Sequence, residues 1–239
     1  NKNYDLIVCD LYHPARDGAG MLYTREHYQN LKAVLREDGA VMQWLPLHQI
    51  GTDDLKVVLR TFMDVFPEAH LMLGSYNVET PVVGIYGSKL PVRWHIGRVQ
   101  NKLYKNNIRA SVENPADLVN SYLCGPLDIK KAIGEGPLNI DQHPLLIFNA
   151  PKDVYTPQEQ LANANMNFLL ALRKKFPKNL LSIKDESLSQ RLERQWNATG
   201  LYLQYMRDAT YKNERMTHKK LIDAYQLAPD FSPARGKIQ

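Results

Sequence analysis

An α/β architecture with half of a doubly wound sheet is what residues 1–90 predict. Short apolar runs alternate there with helical periodicity, Gly or Pro marks each junction, and the last two runs are close enough for a hairpin. Tyr4 to Cys9 reads Tyr-Asp-Leu-Ile-Val-Cys, four apolar residues in a row, the pattern of a parallel strand covered on both faces. Asp10 ends it. After a connection carrying His13-Pro14 and Gly18-Ala19-Gly20, Thr24 is placed to cap a helix running to about Asp38, with Tyr28, Leu31, Val34 and Leu35 as its apolar stripe. Gly39 stops that helix, and Ala40 to Leu47 is the second strand. Thr52 caps the next helix, whose Leu55, Val58, Leu59, Phe62 and Val65 recur at helical spacing up to Phe66. The runs His70 to Leu73 and Pro81 to Tyr86 close the pattern as an antiparallel pair. The expected order is two parallel βαβ steps and a hairpin.

The composition of the 239 residues, 44% hydrophobic and 23% charged, is that of a globular chain. No apolar run approaches the roughly 18 residues of a membrane span, and no secretory signal opens the sequence, so a soluble, cytoplasmic chain is expected. Cys9 and Cys124 are too few for a disulfide framework, and no zinc-ligand spacing or serine elbow is present, so no metal is expected. Net charge is −3 over residues 1–90, +2 over 91–153 and +6 over 154–239. The basic excess suits an acidic partner or a solvated helix face. Arg173, Lys174, Lys175 and Lys178 form a cluster without a nucleic-acid recognition motif, so no specific nucleic acid is expected.

Ligands of open α/β sheets bind at the carboxyl ends of the strands, which directs attention to Asp10 and to the residues around Gln43. A dinucleotide or S-adenosyl group needs a glycine-rich turn between a first strand and its helix. Neither Gly18-Ala19-Gly20 nor Gly134-Glu135-Gly136 has that setting, and no cofactor cradle is visible in the chain.

Tyr4-Asp5-Leu6-Ile7-Val8-Cys9-Asp10, His13-Pro14, Leu22-Tyr23-Thr24 and Leu35-Arg36-Glu37-Asp38-Gly39, followed by Gln43, resemble the second half of spermidine synthase-like aminopropyltransferases. Trp44-Leu45-Pro46-Leu47-His48-Gln49 is similar to the subgroup with a membrane-embedded N-terminal region, as is Asn139 to Phe148, where Gln142 and Ile147 stand at usually acidic positions. The resemblance implies a class I S-adenosylmethionine-dependent methyltransferase-like, Rossmann-like sheet from its fourth strand onward, with the cofactor motif upstream of Asn1. It implies decarboxylated S-adenosylmethionine as co-substrate and a small-molecule amine as acceptor. It also admits a homodimer, and a membrane attachment only through a region outside this chain. Asp10 matches the family's first acidic residue and is the expected catalytic group. His13, Gln43 and Tyr23 are expected at the substrate, and Pro14 at the cofactor. Tyr12 is a further stacking candidate. The family's Asp-x-x-Asp-Pro reads Asp10-Leu11-Tyr12-His13-Pro14 here, so an imidazole replaces an anion that would attract an ammonium. His13 is thus either an alternative base or a loop residue.

Beyond residue 90 mixed helix and loop are expected, with a helix start at Asn114-Pro115. Capping boxes at Thr156-Pro157-Gln158-Glu159 and Ser187-Leu188-Ser189-Gln190 open further helices. The expected division is 1–153, the α/β part, and 154–239, a helical appendage with one tetratricopeptide-like fragment at Ala224 to Pro229. The competing functional reading is a non-catalytic scaffold with a basic helical surface.

Overall fold

The computed structural model describes residues 3–10, 13–92, 95, 115–178, 180–181, 183, 185–209 and 214–238. Tyr12 and Asn114 lie outside them. The chain divides into two compact units: residues 1–91 with 123–172, and residues 92–122 with 173–239. The division therefore does not follow residue 153.

In the first unit, β1 (Tyr4–Cys9), β2 (Leu35–Pro46), β3 (His70–Leu73), β4 (Val82–Ser88) and β5 (Tyr122–Cys124, which crosses the unit boundary) form a sheet in the order β1-β2-β4-β3-β5. β1 and β2 are parallel, and β4 runs antiparallel to both β2 and β3. The hairpin is present, but its second strand folds back between β2 and β3, so these two strands share a direction without being neighbours. Gly84 permits this insertion, because a Cβ there would lie 2.6 Å from the Trp44 ring of β2. β5 is too short for its apolar residues to declare a strand in the sequence.

Two expectations need correction. β1 is an edge strand covered on one face: Ile7 and Cys9 turn inward, whereas Tyr4, Leu6 and Val8 are 50%, 56% and 56% exposed. Helix α1 (Arg25–Val34) stops short of Asp38, because Leu35 adopts extended backbone, pairs with Tyr4 and is buried in the sheet. Residues 36–39 then form an irregular stretch of β2, where Arg36 meets Asp5 at 3.3 Å. Thr24 does cap α1, its hydroxyl accepting from the His27 amide at 3.3 Å.

Helix α2 (Thr52–Val65) starts after Gly51 rather than Thr52, and its stripe of Leu55, Val58, Leu59 and Phe62 is fully buried. Phe62 meets Tyr28 of α1 edge-on, 4.9 Å between ring centres. Helix α3 (Pro115–Ser121) belongs to the second unit, whereas α4 (Pro126–Ile133), α5 (Leu145–Asp153) and α6 (Gln158–Leu172) belong to the first. Two buried asparagines tie these later segments to the sheet unit. Asn139 donates through Nδ2 to the Gly20 carbonyl at 2.9 Å and accepts at Oδ1 from the Leu146 amide at 3.2 Å. Asn165 of α6 donates to the Leu47 and Ile50 carbonyls at 2.8 and 2.7 Å, and accepts from the Thr52 hydroxyl at 2.9 Å.

The second unit combines α3 with α7 (Glu186–Ala209), α8 (Glu214–Leu227) and α9 (Ser232–Ile238). Asp185, not Ser187, caps α7: its carboxylate accepts from the Ser187 hydroxyl at 2.7 Å and the Ser187 amide at 2.9 Å, and these bonds hold it below the usual carboxylate range. Arg173, from the basic cluster, stacks on Trp196 with 3.5 Å from guanidinium to ring centre and donates to the Trp196 carbonyl, so it serves the helix packing. Lys178 meets Glu186 at 3.5 Å. Among the described residues no helix is long and apolar enough to cross a membrane.

Asn139→Ala removes both side-chain bonds and leaves two buried backbone groups unpaired. It is expected to lower stability by about 2–4 kcal/mol, and urea unfolding measures it; a loss within error would show that the Asn139 bonds are dispensable.

Candidate functional site

The parallel pairing of β1 and β2 sets Cys9 opposite Gln43, which brings the carboxyl ends of both strands to the same end of the sheet. Asp10 follows β1 and is exposed. Gln43 is fully buried and donates through Nε2 to the carbonyls of Asp10, at 3.3 Å, and Trp44, at 3.0 Å. An inward-facing residue of β2 thereby fixes the backbone where the Asp10 carboxylate projects. Oε1 of Gln43 is buried with no hydrogen-bond partner among the described residues.

His13 is half-buried three residues further on. Its Nδ1 accepts from the Ala15 amide at 3.2 Å and its carbonyl from the Arg16 amide at 3.0 Å, so it forms a tight turn before the buried Pro14. Tyr23 is fully buried, close to Tyr28 and near enough to raise its pKa after burial itself does so. The Tyr23 ring fills core space and offers no surface to a ligand. Gly20 lies against α5, where a Cβ would come within 2.9 Å of the Ile147 side chain. Ile147, at a position where the resembling family carries an acid, thus packs on the turn behind the site, and Gln142 is exposed.

One residue without a predicted role joins this group. His48 lies in the loop after β2, only 7% exposed, with its Nδ1 buried and unpaired among the described residues. Burial lowers its pKa, the neighbouring Pro81 carbonyl opposes that shift, and His13 is close enough to disfavour its cation. The strand-end rule that selected Asp10 also covers this loop, but nothing in the sequence shows that His48 turns inward. Its holder, Asn165, is 117 positions away and carries no sequence signal at all.

The same loop leads into an acidic pair at the start of α2. Asp153 accepts from the Gly51 amide at 2.6 Å, and Asp54 is buried beside it. Burial first, then Asp153, raises the Asp54 pKa to about 6, while a bond from Asn149 and the charge of Lys152 oppose the shift. Among the described residues no group of three or more His, Cys, Asp or Glu side chains is placed to hold a metal ion.

Over 85 residues the chain is similar to polyamine aminopropyltransferases. Those of Saccharolobus islandicus strains L.S.2.15 and M.14.25 are each 29% identical over 85 residues, which are 35% of this chain and 27% of theirs. That of Saccharolobus solfataricus strain P2 is 29% identical over 87 residues, 36% of this chain and 28% of its own. The chain spans about a quarter of the length of these curated relatives. No family model matches it.

Asp54 supplies a pH dependence. Its folded pKa lies above the ordinary 3.8, so the folded state binds the extra proton, and stability falls as pH rises from about 4 to about 6 and stays lower above. Asp54→Asn is expected to recover about 1–2 kcal/mol at pH 7, allowing for partial solvation of the carboxylate, and nothing at pH 4. Thermal unfolding at the two pH values checks this, and an equal gain at both would exclude the titration of Asp54 as its source.

Proposed function

We propose that this chain supplies the acceptor side of an aminopropyl-transfer site, in which a sulfonium donor of the decarboxylated S-adenosylmethionine type alkylates an amine. The observation that carries the reading is the Asp10 carboxylate, projecting from the carboxyl end of β1 on a backbone held by Gln43, in a chain partly similar to polyamine aminopropyltransferases. An alkylammonium has a pKa near that of lysine, about 10.4, and is no nucleophile until it loses a proton. Asp10 attracts the ammonium, holds its nitrogen in line with the carbon next to sulfur, and accepts or relays that proton. The nitrogen lone pair then forms the C–N bond, and the C–S bond breaks with its electron pair going to sulfur.

The donor fits less well on the residues present. Gly20 is committed to packing on Ile147, and the other glycine of that stretch, Gly18, sits at a left-handed turn with φ 76°. The chain's part in donor binding is then Pro14, which fixes the backbone after His13, while the glycine-rich cradle belongs to a sheet that continues past β1, as in a class I methyltransferase-like fold. The position of β1 at the edge of the described sheet supports that continuation. His13 in place of the second carboxylate favours acceptors other than a dication.

Asp10→Asn in the full-length protein is expected to lower kcat for aminopropyl transfer by about 10²-fold or more, with the fold of the variant checked by circular dichroism. Wild-type kcat in the variant would remove Asp10 from the mechanism, and a wild type that alkylates no amine would overturn the reading as a whole.

A further inference from the structure

Helix α2 leaves the loop after β2 and, with 14 residues, carries the chain about 20 Å from it. At this far end the sequence reads Met63-Asp64 and then Pro67-Glu68, apolar and acidic residues side by side. Helix α4 packs against α2, and Arg60 fixes the pair. Its Nη1 donates to the Ile133 carbonyl at 2.7 Å and its Nε to the Pro137 carbonyl at 3.3 Å. Gly136 lies close on that guanidinium, where a Cβ would come within 2.8 Å of Arg60 Cζ. Between the end of α2, the length of α4 and residues 134–138 runs an open groove of about 1020 Å³. Its wall is braced by Arg60 before any partner arrives, which removes part of the ordering cost of binding.

The apolar part of the lining comes from Met63, Pro67, Pro126, Leu127 and Leu138. Leu127, second residue of α4, is 84% exposed, so nearly its whole side chain is open to a partner. Asp64 and Glu68 on one side and Glu135 on the other supply carboxylates, and no ion pair engages them among the described residues. The guanidinium of Arg60 is spent on two carbonyls, which leaves Lys130 as the other cation of the lining. Both helices also end here, and carbonyls at helix ends add partial negative charge. We infer that this groove docks a protein partner through a basic amphipathic helix. The apolar side chains of that helix cover Leu127, Met63 and Leu138, and its Lys or Arg side chains meet Asp64, Glu68 and Glu135. The same carboxylates repel nucleic acid and anionic lipid. The inference is independent of the aminopropyl-transfer reading.

Fluorescence anisotropy with the full-length protein tests this. The probes are a fluorescein-labelled peptide with Leu on one helical face and Lys on the other, and its counterpart with Glu for every Lys. The Lys peptide is expected to bind, more weakly as salt is added, and the Glu peptide not to bind. The double variant Asp64→Lys, Glu68→Lys is expected to weaken binding of the Lys peptide by about tenfold or more, and Leu127→Ala by about fivefold, with circular dichroism checking each fold. If the Lys peptide binds wild type and both variants equally, it binds elsewhere and the groove assignment is overturned. Binding of both peptides alike, or of neither, overturns it as well. Should the charge-reversed variant fail to fold, Leu127→Ala, which removes atoms from an exposed side chain, decides alone.

Discussion

The loop between β2 and α2 depends on one side chain, Asn165. Its amide donates to two carbonyls of that loop and its oxygen accepts from Thr52, so all three bonds of a fully buried group are directed at six consecutive residues, 47 to 52. A buried amide is tolerated only when its partners are complete, and a complete set makes the local geometry rigid. The orientation of His48, the start of α2 after Gly51 and the meeting of Asp54 with Asp153 all follow from how this loop is held. Helix α6, which the sequence presents as the first part of a separate appendage, is thus a structural component of the sheet unit.

Asn139 performs a parallel task one layer away, joining the Gly20 turn to the beginning of α5. Its backbone takes part as well, since the Asn139 amide donates to Thr61 of α2 at 2.9 Å and its carbonyl accepts from Arg25 of α1 at 2.9 Å. The turn behind Asp10 is thereby connected to α1, α2 and α5 together. Apolar packing supplies most of the driving force in such a unit but is indifferent to direction, whereas these amides choose which segments meet. The site consequently draws on chain from residue 10 to residue 165.

Where the sequence was legible, the signal was local. The spacing of Leu55, Val58, Leu59 and Phe62 foretells α2, the four-residue run from His70 foretells β3, and Thr24 in front of a polar-apolar repeat foretells the start of α1. Asp10 stands out for the same reason, as an acid directly after an apolar strand. The misreadings have a common origin. Leu35 fits the apolar stripe of α1 in the sequence, yet the sheet offers it a partner in Tyr4 and a buried position, and the pairing outweighs helical periodicity. Tyr23 looks like a stacking group beside a strand end, and only the packing of α1 over it shows that its ring is enclosed.

The sequence alone determined the succession of strands and helices over residues 1–90 and the acid at the end of β1, because periodicity, capping and turn residues act within a few positions of one another. The tertiary structure decided that β4 lies between β2 and β3, that one face of β1 remains open, and that His48, Gln43 and Asp10 gather at one end of the sheet. These depend on contacts between residues far apart in the chain, such as the 118 positions separating Leu47 from Asn165, and no local pattern records which distant partner a buried polar group will find.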